Sequence, residues 1–177
     1  LVFVLIPGTA PQAQNTTIDV PEITLEDIYA SATFQSRRFQ GGRWADEGPI
    51  IHYIEREQDG QETNLVEYNL ETDSRSVLID GSTLYAEDVD RQVPIEDYQY
   101  SADGTKVLIY TDSEQVWRYN TKGFYYIYDV DDETLTPLSD RDRGFQMFAK
   151  FSPDGEYVGF VRKRNLFVVD LSTMEET

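Results

Sequence analysis

KFSPDGEYVGFV (150–161) can be laid over QYSADGTKVLIY (99–110), and both over RWADEGPIIHYI (43–54). Each stretch carries an aromatic residue (Phe151, Tyr100, Trp44) and then a glycine (Gly155, Gly104, Gly48), followed by an alternating apolar strand. In two of them an aspartate (Asp154, Asp103) directly precedes the glycine. Asp-Gly between alternating runs is a strong hairpin signal, because the turn needs a positive φ that glycine supplies freely.

Each copy also has a second half. LVEYNLETDSRSVLI (65–79), FYYIYDVDDETLTPL (124–138) and LFVVDLSTMEET (166–177) share a strand, an Asn or Asp ahead of an apolar residue, and a polar turn. A further strand follows in the first two, and the third is read as stopping inside its turn. The unit is strand, turn, strand, loop, strand, turn, strand, recurring about every 50 residues, which is the period of four-stranded propeller blades. The expected fold is all-β, a partial β-propeller of about three four-stranded antiparallel blades with the last one incomplete, preceded by a short N-terminal helix. Blades are expected at about 39–80, 97–139 and 146–177, within a propeller region 37–177. A two-sheet sandwich also consists of many short strands with regular turns, and the matched Asp-Gly register favours the propeller over it. A blade needs a neighbour on each face, and propellers close with about 4–8 blades, so the chain reads as a truncated portion of a longer protein.

Composition narrows the function classes. The chain has 177 residues, 33 Asp and Glu against 15 Lys and Arg, and a net charge of −18. That balance disfavours phosphate backbones, which need a basic face, and anionic membrane surfaces as well. No cysteine is present, which excludes disulfides and thiol chemistry, and one histidine is too few for an ordinary structural zinc site. No metal or other cofactor is expected.

At the front, LVFVLIPGTAPQAQ (1–14) resembles the back half of a secretory signal peptide, with cleavage near Ala13 or Gln14. The alternative is a buried strand; the run is too short to span a bilayer. Export to the periplasm, the medium or the cell surface is the expectation. Asn15-Thr16-Thr17 fits a glycosylation sequon, a match that three residues make often by chance. The next segment, 15–36, should hold the short helix: Thr24 is an N-cap candidate, Glu26 and Asp27 fill the first turn, and the helix should end before Phe34.

QVWRYNTKGFYYIYDV (115–130) departs from the repeat. Gly104 to Asp129 spans 25 residues where Gly155 to Asp170 spans 15, so the second copy carries about ten extra residues between its middle strands. Insertions on a rigid sheet scaffold are where binding residues concentrate. Within this one, Arg118 follows Trp117. A guanidinium is a planar, permanently charged donor fork suited to a peptide carbonyl or a carboxylate. The plainer reading is a surface arginine whose stem packs on Trp117.

Taken together, ITLEDIYASATF (23–34), the first blade, QVWRYNTKGFYYIYDV and QMFAKFSPDGEYVGFVRKRNLFVVDL (146–171) resemble the N-terminal propeller of the dipeptidyl peptidase IV family of the prolyl oligopeptidase clan. The resemblance runs from about residue 23 to the end of the chain. It implies an eight-bladed propeller capping an α/β-hydrolase domain, in an exported serine exopeptidase that releases N-terminal dipeptides. It also implies that Arg118, with Trp117 beside it, reaches the central cavity from a loop and contacts the carbonyl region of bound peptide. The implied partners are peptide N-termini, the C-terminal α/β-hydrolase domain of the same protein and, as an option the sequence leaves open, a second copy in a homodimer. The family's paired glutamates for the substrate amino group belong to a later blade, and Asp112, Glu114 and the run DVDDE (129–133) do not match that motif.

No G-x-S-x-G occurs, so no catalytic serine is assigned and the chain alone should be inactive. His52, in PIIHYIE, reads as an ordinary strand residue with no partner serine. The acids at 129–133 lack the spacing of a calcium loop and read as a solvated hairpin turn. Arg162-Lys163-Arg164 reads as a solvated turn too. The competing functional class is a non-enzymatic propeller that binds protein or glycan; fold alone does not separate the two. Another peptidase of the same clan is a third possibility, though such enzymes lack the Trp-Arg element in this form.

Overall fold

The computed structural model describes residues 23–31, 34, 41–45, 48–56 and 62–177. The stretches read as a signal-peptide remnant (1–14) and a sequon (15–17) therefore lie outside the described residues. No described helix is long and apolar enough to cross a membrane.

The chain divides into two compact units, Leu1–Phe39 and Gln40–Thr177. The described part of the first contains one helix, α1 (Leu25–Tyr29), closed by a capping box. The Thr24 hydroxyl accepts from the Asp27 amide at 3.1 Å while the Thr24 amide donates to the Asp27 carboxylate at 3.0 Å. Two of the helix's orphan donors are satisfied this way, as expected for Thr followed three residues later by an acid.

The second unit is built from three four-stranded antiparallel sheets, each a meander in chain order. The first comprises β1 (Arg43–Trp44), β2 (Ile50–Arg56), β3 (Thr63–Asn69) and β4 (Ser74–Ile79). A small ribbon, β5 (Tyr85–Ala86) and β6 (Arg91–Gln92), follows. The second sheet contains β7 (Asp97–Tyr100), β8 (Lys106–Val116), β9 (Tyr119–Asp129) and β10 (Thr134–Pro137). The third contains β11 (Met147–Phe151), β12 (Tyr157–Arg162), β13 (Asn165–Asp170) and β14 (Glu175–Glu176). The third copy thus passes through its turn into a fourth strand of two residues. Four-stranded meanders repeated along the chain are the partial propeller that the repeat implies.

The Asp-Gly signals sit where they should, in a longer connection than a two-residue hairpin. Ser101 accepts from the Gly104 amide at 3.0 Å, Gly104 takes φ 74°, and strand pairing resumes at Lys106. Asp103 stabilises the turn by accepting from the Ser101 hydroxyl at 2.7 Å and the Thr105 amide at 3.1 Å. Ser152, Asp154 and Gly155 repeat the arrangement in the third sheet, with Gly155 at φ 75°. At 129–133, Asp129 accepts from the amides of Asp131 and Asp132 at 3.1 and 3.2 Å, the wiring of a polar hairpin turn.

The middle sheet is buried on both faces, which explains its apolar strands. Val107, Ile109, Tyr126 and Tyr128 face a core shared with Leu65 and Ile79 of the first sheet. Leu84, Ala86, Val93 and Ile95, from the connection between the sheets, fill that same core. The intervening residues Leu108 and Ile127 face a second core with Val158, Phe160 and Val169 of the third sheet. Alternation with period two therefore supplies both interfaces from one sheet.

The expectation for Arg162 fails. Arg162 is not in a solvated turn: it ends β12, is 5% exposed, and pairs with Glu176. Its guanidinium lies 4.1 Å from the centre of the Phe167 ring and also donates to the Ser139 hydroxyl at 2.9 Å. Only Lys163 and Arg164, at φ 51° and 69°, form the turn. A run of three basic residues hid a buried charge, because the strand's alternation continues one residue into it.

Candidate functional site

Arg118 occupies the tip of a ribbon, not a loop. β8 and β9 each have 11 residues, while their counterparts β12 and β13 each have 6, so the insertion is absorbed as added strand. Val116 pairs with Tyr119, which leaves Trp117 and Arg118 as a two-residue turn. Trp117 adopts φ 60°, a left-handed conformation unusual for a bulky residue. It is 85% exposed, with the Arg118 guanidinium 5.2 Å from its ring centre. Gln115 donates from its side-chain amide to the Trp117 carbonyl at 3.2 Å. The outward half of the ribbon is exposed, its apolar Val116, Trp117 and Tyr119 included, and no ion pair of Arg118 occurs among the described residues.

The root of this arm is tightly built. Pairing steps from Thr111–Phe124 to Glu114–Lys122, then from there to Gln115–Asn120. Each shift is a bulge, the first adding a residue to β8 and the second one to β9. The first bulge places Asp112 at φ 48°. Arg91 of β6 donates to both carboxylate oxygens of Asp112 at 2.6 Å, and Arg141 donates to one of them at 2.5 Å. Burial alone would raise the Asp112 pKa, but the hydrogen bonds from Arg91 and Arg141 outweigh it and hold the carboxyl below the ordinary range. Arg141 comes from a single 3-10 turn, Arg141–Arg143, in the connection to the third sheet. It lies 3.8 Å from the centre of the Phe124 ring and donates to the Tyr126 hydroxyl at 3.0 Å. Tyr126 in turn donates to Asp88 at 2.9 Å. Burial, and then the Asp88 carboxylate, push the Tyr126 pKa to about 12, so it remains a donor.

Opposite Asp112 lies Gly123. A Cβ there would come within 2.4 Å of the Tyr110 ring and 2.8 Å of the Thr111 carbonyl. Gly123 exchanges two backbone hydrogen bonds with Gln146, at 3.1 and 2.9 Å, which fastens the arm's root to the start of the third sheet. Ser113 is held as well, its amide donating to Glu96 at 3.0 Å and its hydroxyl accepting from Asn120 at 2.9 Å.

The arm rises beside a groove of about 900 Å³. The first strands of all three sheets meet there: Arg43 and Trp44 from β1, Asp97 to Tyr100 from β7, and Phe148 to Lys150 from β11. Asn120 and Thr121, on the returning strand of the arm, complete its lining. Propeller blades surround a central channel in the same way. Trp117 and Arg118 are not among the lining residues. Arg43 bridges two of the first strands, donating to Asp97 at 2.6 Å with its guanidinium 4.8 Å from the Tyr98 ring centre.

His52 is a strand residue of β2. Its Nε2 lies 3.3 Å from Glu67 and its ring 5.8 Å from that of Tyr100, and no serine is bonded to it by any described contact. Glu114 pairs with Lys122 across the arm, and Asp112 belongs to the root. Neither is placed at the tip with Arg118. Sequence reasoning missed Asp112, Gly123, Arg91 and Arg141 as parts of this assembly. The available signal was the break in apolar alternation at Thr111-Asp112-Ser113.

Residues 101–177 match the family described as the dipeptidyl peptidase IV N-terminal region. A probable dipeptidyl-aminopeptidase B of Aspergillus terreus is 39% identical over 98 residues, covering 55% of this chain and 10% of that protein. Mouse (Mus musculus) prolyl endopeptidase FAP is 27% identical over 146 residues, 82% of this chain and 17% of its own length. Among solved structures, Porphyromonas gingivalis dipeptidyl peptidase 4 superposes with a TM-score of 0.65 at 29% identity, over 89% of this chain and 22% of that one. The chain thus spans a small part of the proteins it resembles.

Proposed function

We infer that this chain, which belongs to the dipeptidyl peptidase IV family as part of its N-terminal region, caps the catalytic domain of a longer serine exopeptidase and helps to bind its peptide. In this reading the parent enzyme is exported, the hydrolase domain lies downstream in the same protein, and dipeptides are released from peptide N-termini. The propeller admits flexible peptide ends and keeps folded proteins from the nucleophile. A homodimer is compatible with this role and is not required by it. The chain contributes no nucleophile, acid or base; its contribution is orientation.

Arg118 is the residue proposed to touch substrate. The observation that carries this is its placement: an exposed guanidinium at the tip of a ribbon whose returning strand lines the groove where three first strands meet. A guanidinium in such a position donates to a peptide carbonyl without competing for an internal carboxylate, since no ion pair of Arg118 occurs among the described residues. Trp117 stacks against it and limits its swing.

The test is Arg118→Ala in the full-length protein, assayed for release of a dipeptide from a chromogenic substrate. Loss of a charged hydrogen bond is worth about 1.5–3 kcal/mol, so kcat/KM should fall by about tenfold or more, chiefly through KM. Arg118→Lys keeps the charge without the planar fork and should recover only part of the loss. An unchanged kcat/KM in Arg118→Ala would remove the arginine from the substrate site.

A further inference from the structure

The outer half of the arm has little of its own to fix its direction. Beyond Lys122 and Glu114 every side chain except the half-buried Thr121 is exposed, and the tip has the Gln115–Trp117 hydrogen bond and the Trp117–Arg118 stack. A two-stranded ribbon in water is marginal by itself. Where the tip points must therefore be set where the ribbon leaves the sheet. Bulges do this in general: the extra residue bends the strand and increases its twist.

At the root, the bulged residue is Asp112, a non-glycine residue in left-handed backbone. Such a conformation costs free energy and persists only where its surroundings fix it. Three elements supply that constraint. Arg91 approaches from the β5–β6 ribbon that precedes the second sheet. Arg141 approaches from the connection that follows it. Gly123, across the pair, is pinned by Gln146. Asp112 is the carboxylate that both guanidiniums share, so the bend of the arm is tied to the connections on either side of its sheet.

We propose that Asp112, clamped by Arg91 and Arg141, is a positioning residue that sets the direction of the β8–β9 arm and thereby the position of Arg118 at its tip. The part of this that concerns substrate rests on the role given to Arg118 above. The part that concerns the arm stands on the root geometry alone. Asp112 itself touches no substrate; it acts through the ribbon.

The experiment pairs a structural readout with a kinetic one in the full-length protein. Asp112→Asn keeps the side chain's size and removes its charge. Amide hydrogen exchange over residues 113–122 should then speed up by about tenfold or more, while residues 124–137 of the same sheet keep wild-type protection. Should Asp112→Asn fold poorly, Arg91→Gln removes one side of the clamp from a half-exposed position and should produce a smaller change in the same segment. Unchanged exchange over 113–122 in a folded variant would overturn the clamp.

The kinetic half is a double-mutant cycle with Arg118→Ala. Asp112→Asn should raise KM by about fivefold when Arg118 is present and leave KM unaltered when it is absent. An equal effect in both backgrounds would overturn the positioning role, since Asp112 would then act independently of Arg118. If Arg118→Ala alone is silent, the substrate reading fails, and hydrogen exchange still decides whether Asp112 directs the arm.

Discussion

Gly123 shows how one residue type can be required by packing and not by backbone freedom. Its φ lies outside the positive region, yet a Cβ would meet the Tyr110 ring at 2.4 and 2.7 Å and the Thr111 carbonyl at 2.8 Å. The ring cannot simply swing away, because Tyr110 packs on Tyr125 with centroids 4.7 Å apart and bonds the Asn120 carbonyl at 3.2 Å. Gly123→Ala should therefore destabilise the protein by about 1–3 kcal/mol, the usual cost of overpacking. A urea denaturation series checks this through a lower midpoint with an unchanged slope. An unaltered midpoint would mean that the Tyr110–Gly123 contact yields without cost. Arg162 makes the complementary point. Its charge, so readily assigned to solvent from sequence, is buried against Glu176 because nothing in a run of Arg, Lys and Arg tells which residue ends the strand.

The strands were largely legible. Alternation located β2, β3, β8, β9, β12 and β13, and Asp-Gly located the turns before β8 and β12, because burial and positive φ constrain residue type locally. The insertion was visible as ten extra residues but read as a loop. Thr111-Asp112-Ser113-Glu114 breaks the apolar alternation, and once both faces of a ribbon are in water no hydrophobic pattern marks its register. The clamp was illegible for a different reason: Arg91 and Arg141 lie 21 and 29 positions from Asp112, and pairing over that distance is set by how sheets stack. The arm's tip yields a prediction of its own. Trp117 holds φ 60° where a side chain is disfavoured and exposes most of its ring. Trp117→Gly should leave stability unchanged or raise it by up to about 1 kcal/mol, since glycine adopts that conformation freely. A thermal midpoint lower than wild type would show that the Trp117 ring supports the ribbon. The same variant should weaken peptide binding if the ring restrains Arg118, which separates the tip's function from its folding.

On the scale of the molecule, two electrostatic effects oppose each other as pH falls. The net charge of −18 makes the compact state repel itself near neutrality, and protonating carboxylates relieves that. Against this stand carboxylates whose charged form the fold uses. Hydrogen bonds from Arg162, with burial opposing and Ser139 and Arg143 assisting, lower the Glu176 pKa to about 2. The Ser101 hydroxyl and the Thr105 amide and hydroxyl lower Asp103 to about 2. Asp112 is lowered by its two guanidiniums in spite of burial. For a group whose pKa is depressed by folding, the unfolded chain binds the proton more readily; its stabilisation is complete above the unfolded pKa of about 4 and disappears as pH falls through the folded value. The thermal midpoint should accordingly rise modestly from pH 8 towards pH 5 and fall steeply between about pH 4 and pH 2. Added salt at pH 7 should raise it by screening the excess negative charge. Circular dichroism melts across that range test both limbs. Glu176→Gln should flatten the acid limb and lower the midpoint at pH 7, because Arg162 would keep its burial and lose its counter-charge. A midpoint that stays level from pH 4 to pH 2 in the wild type would mean that these carboxylates are not what holds the third sheet and the arm's root in place.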